Sequence, residues 1–128
     1  MSYYFSKTIN TAFDEAIPKV TDGLKNEGFG IITEIDVKET LKKKLGVDFR
    51  DYVILGACNP SFAYQALLAE DKIGTMLPCN VIVQELAPGE VEVAAIDPLA
   101  SMQAVDNPKL AEIGEQVRVK LKAVIDSL

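Results

Sequence analysis

The stretch YVILGAC, Tyr52 to Cys58, is apolar at odd and even positions alike. Successive strand residues point to opposite faces of a sheet. A segment apolar on both faces therefore belongs inside a sheet that is covered on both sides. We read it as the central strand of a sheet around which the rest of the chain folds. Asn59 and Pro60 follow at once. Asn is a good helix cap, and Pro costs nothing at the first helical position, where its missing N–H would have no partner. The expected unit is a buried strand feeding directly into a helix.

Upstream, Tyr3 to Ile9 alternates as a strand, with Tyr3, Phe5 and Ile9 on one face. Asn10 is expected to cap a helix reaching about Asn26, in which Phe13, Ile17, Val20 and Leu24 form one stripe. Pro18 falls inside that stripe and should kink or break the helix, because it lacks the amide proton and crowds the preceding turn. Gly28 closes it. A second strand, Phe29 to Ile35, leads to Asp36, with Glu39 placed as in a capping box. Val37, Leu41 and Leu45 of the helix that follows are expected to face inward, and Gly46 to end it.

Downstream of Cys58, a helix over 60–70 and a loop over 71–78 lead to a strand at 80–86. Pro88-Gly89 is a turn signal, and Val91, Val93 and Ala95 alternate with Glu90 and Glu92, so a hairpin is expected. Asp97-Pro98 and Asn107-Pro108 open a short and a long helix. Leu110, Ile113, Val117, Leu121, Val124 and Leu128 form the apolar face of the long one, which Gly114 interrupts. A glycine there costs roughly 1 kcal/mol relative to alanine, and a close helix contact would account for it. The strand–helix–strand order at 3–35 and 52–86 is a weak hint of internal repetition. The expected fold is α+β: one domain over residues 1–128, with a mixed sheet of about five strands in the order β-α-β-α-β-α-β-β-α-α packed against helices.

Composition narrows function mainly by what it removes. The chain of 128 residues carries 19 acidic and 13 basic side chains, a net charge of −6. Counterion release from nucleic acid needs clustered cations. The one basic cluster, Lys38 with Lys42, Lys43 and Lys44, reads as a solvated helix face, so no nucleic-acid partner is expected. No His is present. This excludes Ser-His-Asp and Cys-His machinery within the chain and removes the commonest metal ligand. No apolar run approaches the ~20 residues of a membrane span, and the N-terminus does not read as a signal peptide. The expectation is a cytoplasmic protein whose two cysteines stay reduced.

Those cysteines sit in matching contexts, Cys58-Asn59 and Cys79-Asn80. Cys58 stands just before a helix N-terminus, where partial positive charge favours a thiolate. Its bland alternative is a small core residue. Cys79 lies among Leu77, Val81 and Val83, which points to packing. If the strands bearing the thiols are parallel, as a strand–helix–strand unit favours, they lie at opposite ends of the sheet. If antiparallel, they meet at one end. Two thiols without imidazole are too few for a closed zinc site. Carboxylates such as Glu34, Asp36 or Asp97, or a second subunit's thiols, would have to complete it, so no metal and no specific cofactor is assigned. Asn59 and Asn80 accompany the thiols as candidate binding residues.

The pair YVILGACNPSFAYQAL and GTMLPCNVIV closely resembles the bacterial and archaeal family labelled domain of unknown function 302. The likeness continues upstream through GFGIITEIDVKETLKKKLGVDFRDY and downstream through EVEVAAIDPLASMQAVDNPKL. It implies a compact α/β domain with one sheet, often seen as a dimer, and no assigned activity. From the residues, the leading expectation is a small binding module, a homodimer, with a pocket for a small molecule near Cys58 and Asn59. The rivals are a thiol-dependent enzyme, redox or nucleophilic, and a purely structural or interaction domain.

Overall fold

In the computed structural model, which describes residues 2–128, five strands form one sheet in the order β1-β5-β4-β3-β2. They are β1 (Tyr4–Asn10), β2 (Gly30–Asp36), β3 (Tyr52–Cys58), β4 (Cys79–Ala87) and β5 (Glu90–Ile96). The helices are α1 (Phe13–Asn26), α2 (Val37–Leu45), α3 (Pro60–Ala69), α4 (Pro98–Ser101) and α5 (Pro108–Asp126), with a 3₁₀ segment at Asp71–Met76 after α3. The α+β class, the strand number and the order of elements agree with the sequence reading.

The pairing does not. Every neighbouring pair is antiparallel, so the sheet is not mixed. The segment from Asn59 to Pro78 does not cross the sheet. It leaves β3 and re-enters β4 at the same end, with Ala57 opposite Cys79 and Tyr52 opposite Gln84. β3 is thus interior but lies next to the edge strand β2, and β4 is the middle strand.

Alternation sorts the sheet's two faces. Val53, Leu55 and Ala57 of β3, Val81 and Val83 of β4, and Val91, Val93 and Ala95 of β5 are all buried. They join Ala16, Val20 and Leu24 of α1 and Leu110, Ile113, Val117, Leu121 and Val124 of α5 in one core. That is the helix-covered face. On the other, Ile35, Ile54, Ile82 and Ala94 fall in one cross-strand row. The double-sided apolar character of β3 therefore arises from helices on one side and this row on the other.

Local signals set most helix ends. Gly28, at φ 87°, ends α1 in a Schellman arrangement, with Gly28 N–H donating to Lys25 and Phe29 N–H to Leu24. Asp36 accepts from Glu39 N–H at 3.0 Å and caps α2, and Gly46 at φ 67° stops it. Asp97 and Asn107 accept from Leu99 and Lys109 N–H and cap α4 and α5. Three expectations fail. Asn10 ends β1, and the N-cap of α1 is Ala12. Pro18 does not break α1, which runs through it. Pro18 and Asp14, the residue one turn before it, lie on the exposed side, where water can take the carbonyl that proline leaves unpaired. α2 buries no residue, and Leu45 is 69% exposed. This helix packs at the β2–β3 edge, away from the core.

Two glycines mark tight contacts. A side-chain carbon on Gly114 would meet Leu99 Cδ2 at 3.4 Å, so α4 packs on α5 at that position. One on Gly56 would lie 2.0 Å from Thr33 Oγ1 and 2.7 Å from Pro78 Cγ. Gly56 lets β2 and the start of β4 close around β3. Gly56→Ala should therefore cost about 2–3 kcal/mol or more, the range of an overpacked core, read as a lower urea midpoint. Thr33→Ala in the same chain should restore part of the loss. A Gly56→Ala protein as stable as the parent would show that this contact is not a constraint.

Candidate functional site

The excursion between β3 and β4 encloses an apolar cavity of about 300 Å³. Its floor is the sheet end carrying Ala57, Cys58 and Cys79. One wall is α3, through Phe62, Ala63 and Ala66. The opposite wall is α5, through Ile113, Gly114 and Val117, with Met102 beside it. Ile32 and Leu67 also line it, and they are 60% and 44% exposed, which places its mouth between β2 and α3.

Because β3 and β4 are antiparallel, both thiols stand at this one end and both are free. Antiparallel geometry decides the question that the sequence left open, against the parallel alternative that would have kept them apart. Burial, then the neighbouring Cys58, pushes the Cys79 thiol up from 9.0 to about 11. Desolvation penalises the anion, and a second sulfur that can itself ionise adds repulsion. Cys79 is therefore a neutral S–H group at pH 7.

Asn59 stands at the N-cap position of α3, and its carbonyl accepts from Ala63 N–H at 2.9 Å. Its side chain makes no capping bond. Instead Nδ2 donates to the Glu27 carbonyl at 3.4 Å, fastening the start of α3 to the end of α1. A side-chain carbon on Gly28 would lie 3.1 Å from that nitrogen, so Gly28 provides both the helix stop and the room for Asn59. The expected capping role thus falls to Asp97 and Asn107 but not to Asn59, and the first-turn amides of α3 have no side-chain cap. Asn107 Nδ2 donates to the Ala69 carbonyl at 2.9 Å and ties the far end of α3 to α5. The helix that roofs the cavity is thereby pinned at both ends by asparagine side chains.

Asn80 is elsewhere. It pairs with Gly56 and faces the other side of the sheet. There it lines a separate groove with Tyr3, Tyr4, Tyr52, Ile82 and Glu92. The structure brings Cys58, Asn59 and Cys79 together and leaves Asn80 on the opposite face. The proposed carboxylate ligands do not converge either. Asp97 is occupied by Leu99 N–H and by Arg118 at 3.3 Å. Among the described residues no group of three or more His, Cys, Asp or Glu is placed to hold a metal. The walls from α4 and α5 were not anticipated as site residues. Gly114, at its energetic cost in mid-helix, was the one sequence signal pointing to them.

The fold and cavity define a small α+β protein with a single antiparallel sheet and an apolar pocket at the sheet end that bears two thiols. The chain belongs to the family described as domain of unknown function DUF302, whose model matches residues 5–128. It is similar to the crystal structure of an uncharacterized conserved DUF302 protein from Bacillus stearothermophilus, with 30% identity, 98% of each chain covered and a TM-score of 0.90. No curated protein matches it. Among the described residues no helix is long and apolar enough to cross a membrane.

The raised Cys79 pKa has a definite sign. The folded state holds its proton to higher pH than the unfolded chain does. The associated stability is fully present below pH 9.0 and is lost as pH rises towards about 11. A shift of this size corresponds to at most about 2–3 kcal/mol. Stability measured from pH 8 to 11 should therefore fall more steeply for the parent than for Cys79→Ala. Alkylation of Cys79 by iodoacetamide should stay slow through pH 9. Parallel stability profiles, or fast alkylation at pH 8, would contradict the assignment.

Proposed function

We propose that this protein is a small-molecule-binding module, acting as a homodimer in the cytoplasm, whose ligand occupies the cavity beside Cys58, Asn59 and Cys79. The carrying observation is the cavity itself. A space of about 300 Å³ with a mouth to solvent lies against the only two thiols in the chain. Its volume is at the lower end of the range of small-molecule pockets. Pinning of α3 by Asn59 and Asn107 supports a preformed site.

The dimer reading rests on the other face of the sheet. The row Ile35–Ile54–Ile82–Ala94 lies across from α1 and α5. Ile35 within it and Tyr3 and Tyr4 beside it are exposed. A second copy meeting this face would bury the row against its equivalent, since a two-fold contact is self-complementary. Ile82→Asp should yield a monomer in sedimentation velocity at concentrations where the parent sediments as a dimer. A parent that is monomeric throughout would remove the dimer from the proposal.

One observation favours a thiol-dependent reaction as the second reading: the antiparallel register that delivers both sulfurs to one end. Catalysis by Cys58 as nucleophile requires that the thiol react with reagents in the folded state. Ligand binding that survives Cys58→Ala and Cys79→Ala would assign the sulfurs to packing. Binding lost in Cys58→Ala, together with reagent-accessible Cys58, would favour the chemical role.

A further inference from the structure

We infer that the ligand of this cavity is an uncharged, predominantly apolar molecule of about a dozen non-hydrogen atoms, held with its one acceptor group towards the thiols. The inference rests on the reading of the cavity as a binding site and adds the class of compound.

Size comes first. An apolar cavity of ~150 Å³ accommodates benzene. The present one, at about 300 Å³, has room for about twice that, such as two fused rings or a branched chain. Charge is decided by the walls. None of the residues lining the cavity is Asp, Glu, Lys or Arg. The side chains that can hydrogen-bond are those of Cys58, Cys79 and Asn59, and one N–H of the Asn59 amide is engaged by the Glu27 carbonyl.

An anion entering here would find only the uncapped first turn of α3. A helix terminus offsets only a small part of the cost of taking an ion out of water. The deficit excludes carboxylates and phosphates whose charge must enter the cavity. A cation would find no carboxylate at all among the lining residues. The mouth repeats the preference, because Ile32 and Leu67 present aliphatic surface there. Cys58 and Cys79 line the cavity as weak donors, and Met102 adds a polarizable thioether that adapts to the shape of a guest. A carbonyl or ether oxygen, or a sulfur, is the group that such an end accepts.

Three probes of one shape test this: 2-acetylnaphthalene, 2-naphthoate and 2-naphthylmethylammonium, titrated into the intact protein at pH 7 by calorimetry and ligand-observed NMR. Two cavity-filling variants accompany them, Ala63→Leu from the α3 wall and Gly114→Leu from the α5 wall. Circular dichroism selects whichever retains the fold. The neutral ketone should bind, with both ions weaker by at least about 30-fold, as an uncompensated buried charge requires. Either folded filling variant should weaken the ketone by at least about 10-fold, the effect of ~1.4 kcal/mol of lost complementarity. If naphthoate or the ammonium binds as tightly as the ketone and the filling variants still block it, the compound class is wrong while the site stands. If the ketone binds parent and filled variants alike, it binds elsewhere and the inference falls. If none of the three binds, the cavity is not a small-molecule site, and the proposed function falls with the inference.

Discussion

The antiparallel pairing of β3 with β4 is the constraint from which the other features of this molecule follow. Once Ala57 faces Cys79, the residues between them must depart and return at one edge of the sheet. A ten-residue helix and a six-residue 3₁₀ turn fill that excursion. They cannot lie flat on the core, because α1 and α5 already occupy the helix-covered face. They pack beside α5, putting Ala66 and Ile73 into the core, and leave a roofed space at the sheet end. The same pairing carries both sulfurs to the floor of that space. Gly56 is what lets the strands approach, since any side chain there would strike Thr33 and Pro78.

A roofed space persists only if its roof is held. Apolar contact alone would favour collapse of α3 onto the sheet, since burial contributes about 25 cal/mol per Å². Two directional bonds oppose this by fixing the helix ends, Asn59 to the end of α1 and Asn107 to the end of α3. The Asp97–Arg118 pair does comparable work beneath. Asp97 is 8% exposed, caps α4 and meets an arginine that also lies over the Phe5 ring at 5.2 Å. It links β1, α4 and α5, so the far wall is braced by charge as well as by packing.

The sequence was most informative where structure is local. Gly28, Gly46 and Gly89 all take positive φ, and Asp36, Asp97 and Asn107 cap their helices as their positions require. Those outcomes depend on a few neighbouring atoms. Asn59 looks the same in sequence, yet its side chain turns to Glu27 in another helix, a partner that no local rule identifies. Strand direction is likewise non-local. Twenty residues between Cys58 and Cys79 are long enough for either a crossover or a return, and the preference for a parallel unit was the wrong guide. The site was half legible. Cys58 and Cys79 announced themselves by type, whereas Met102, Ile113 and Val117 reach the cavity only through the path of the chain.

The apolar character of β3 on both faces, which first suggested a sheet covered on both sides, has two separate origins. Val53, Leu55 and Ala57 are buried by this chain's own helices. Ile54 sits in the row with Ile35, Ile82 and Ala94, a surface whose composition is that of an interior. Polar atoms edge the row: Arg50 donates to Gln84 at 2.8 Å, and Gln84 donates to Glu92 at 2.8 Å. An apolar centre within a hydrogen-bonded rim is the usual anatomy of a protein interface. The two faces of one strand thus serve different ends. One closes the core and floors the cavity, and the other carries the apolar row on which the dimer proposal rests. Because the two are back to back, a second copy docked on the row would leave the mouth at Ile32 and Leu67 to be judged by its position at the β2 edge. Ile35, at the end of the row, lies only three residues from Ile32. The row and the cavity mouth therefore meet along β2, the strand whose register shifts between Ile31 and Thr33 and whose Ile32 is exposed.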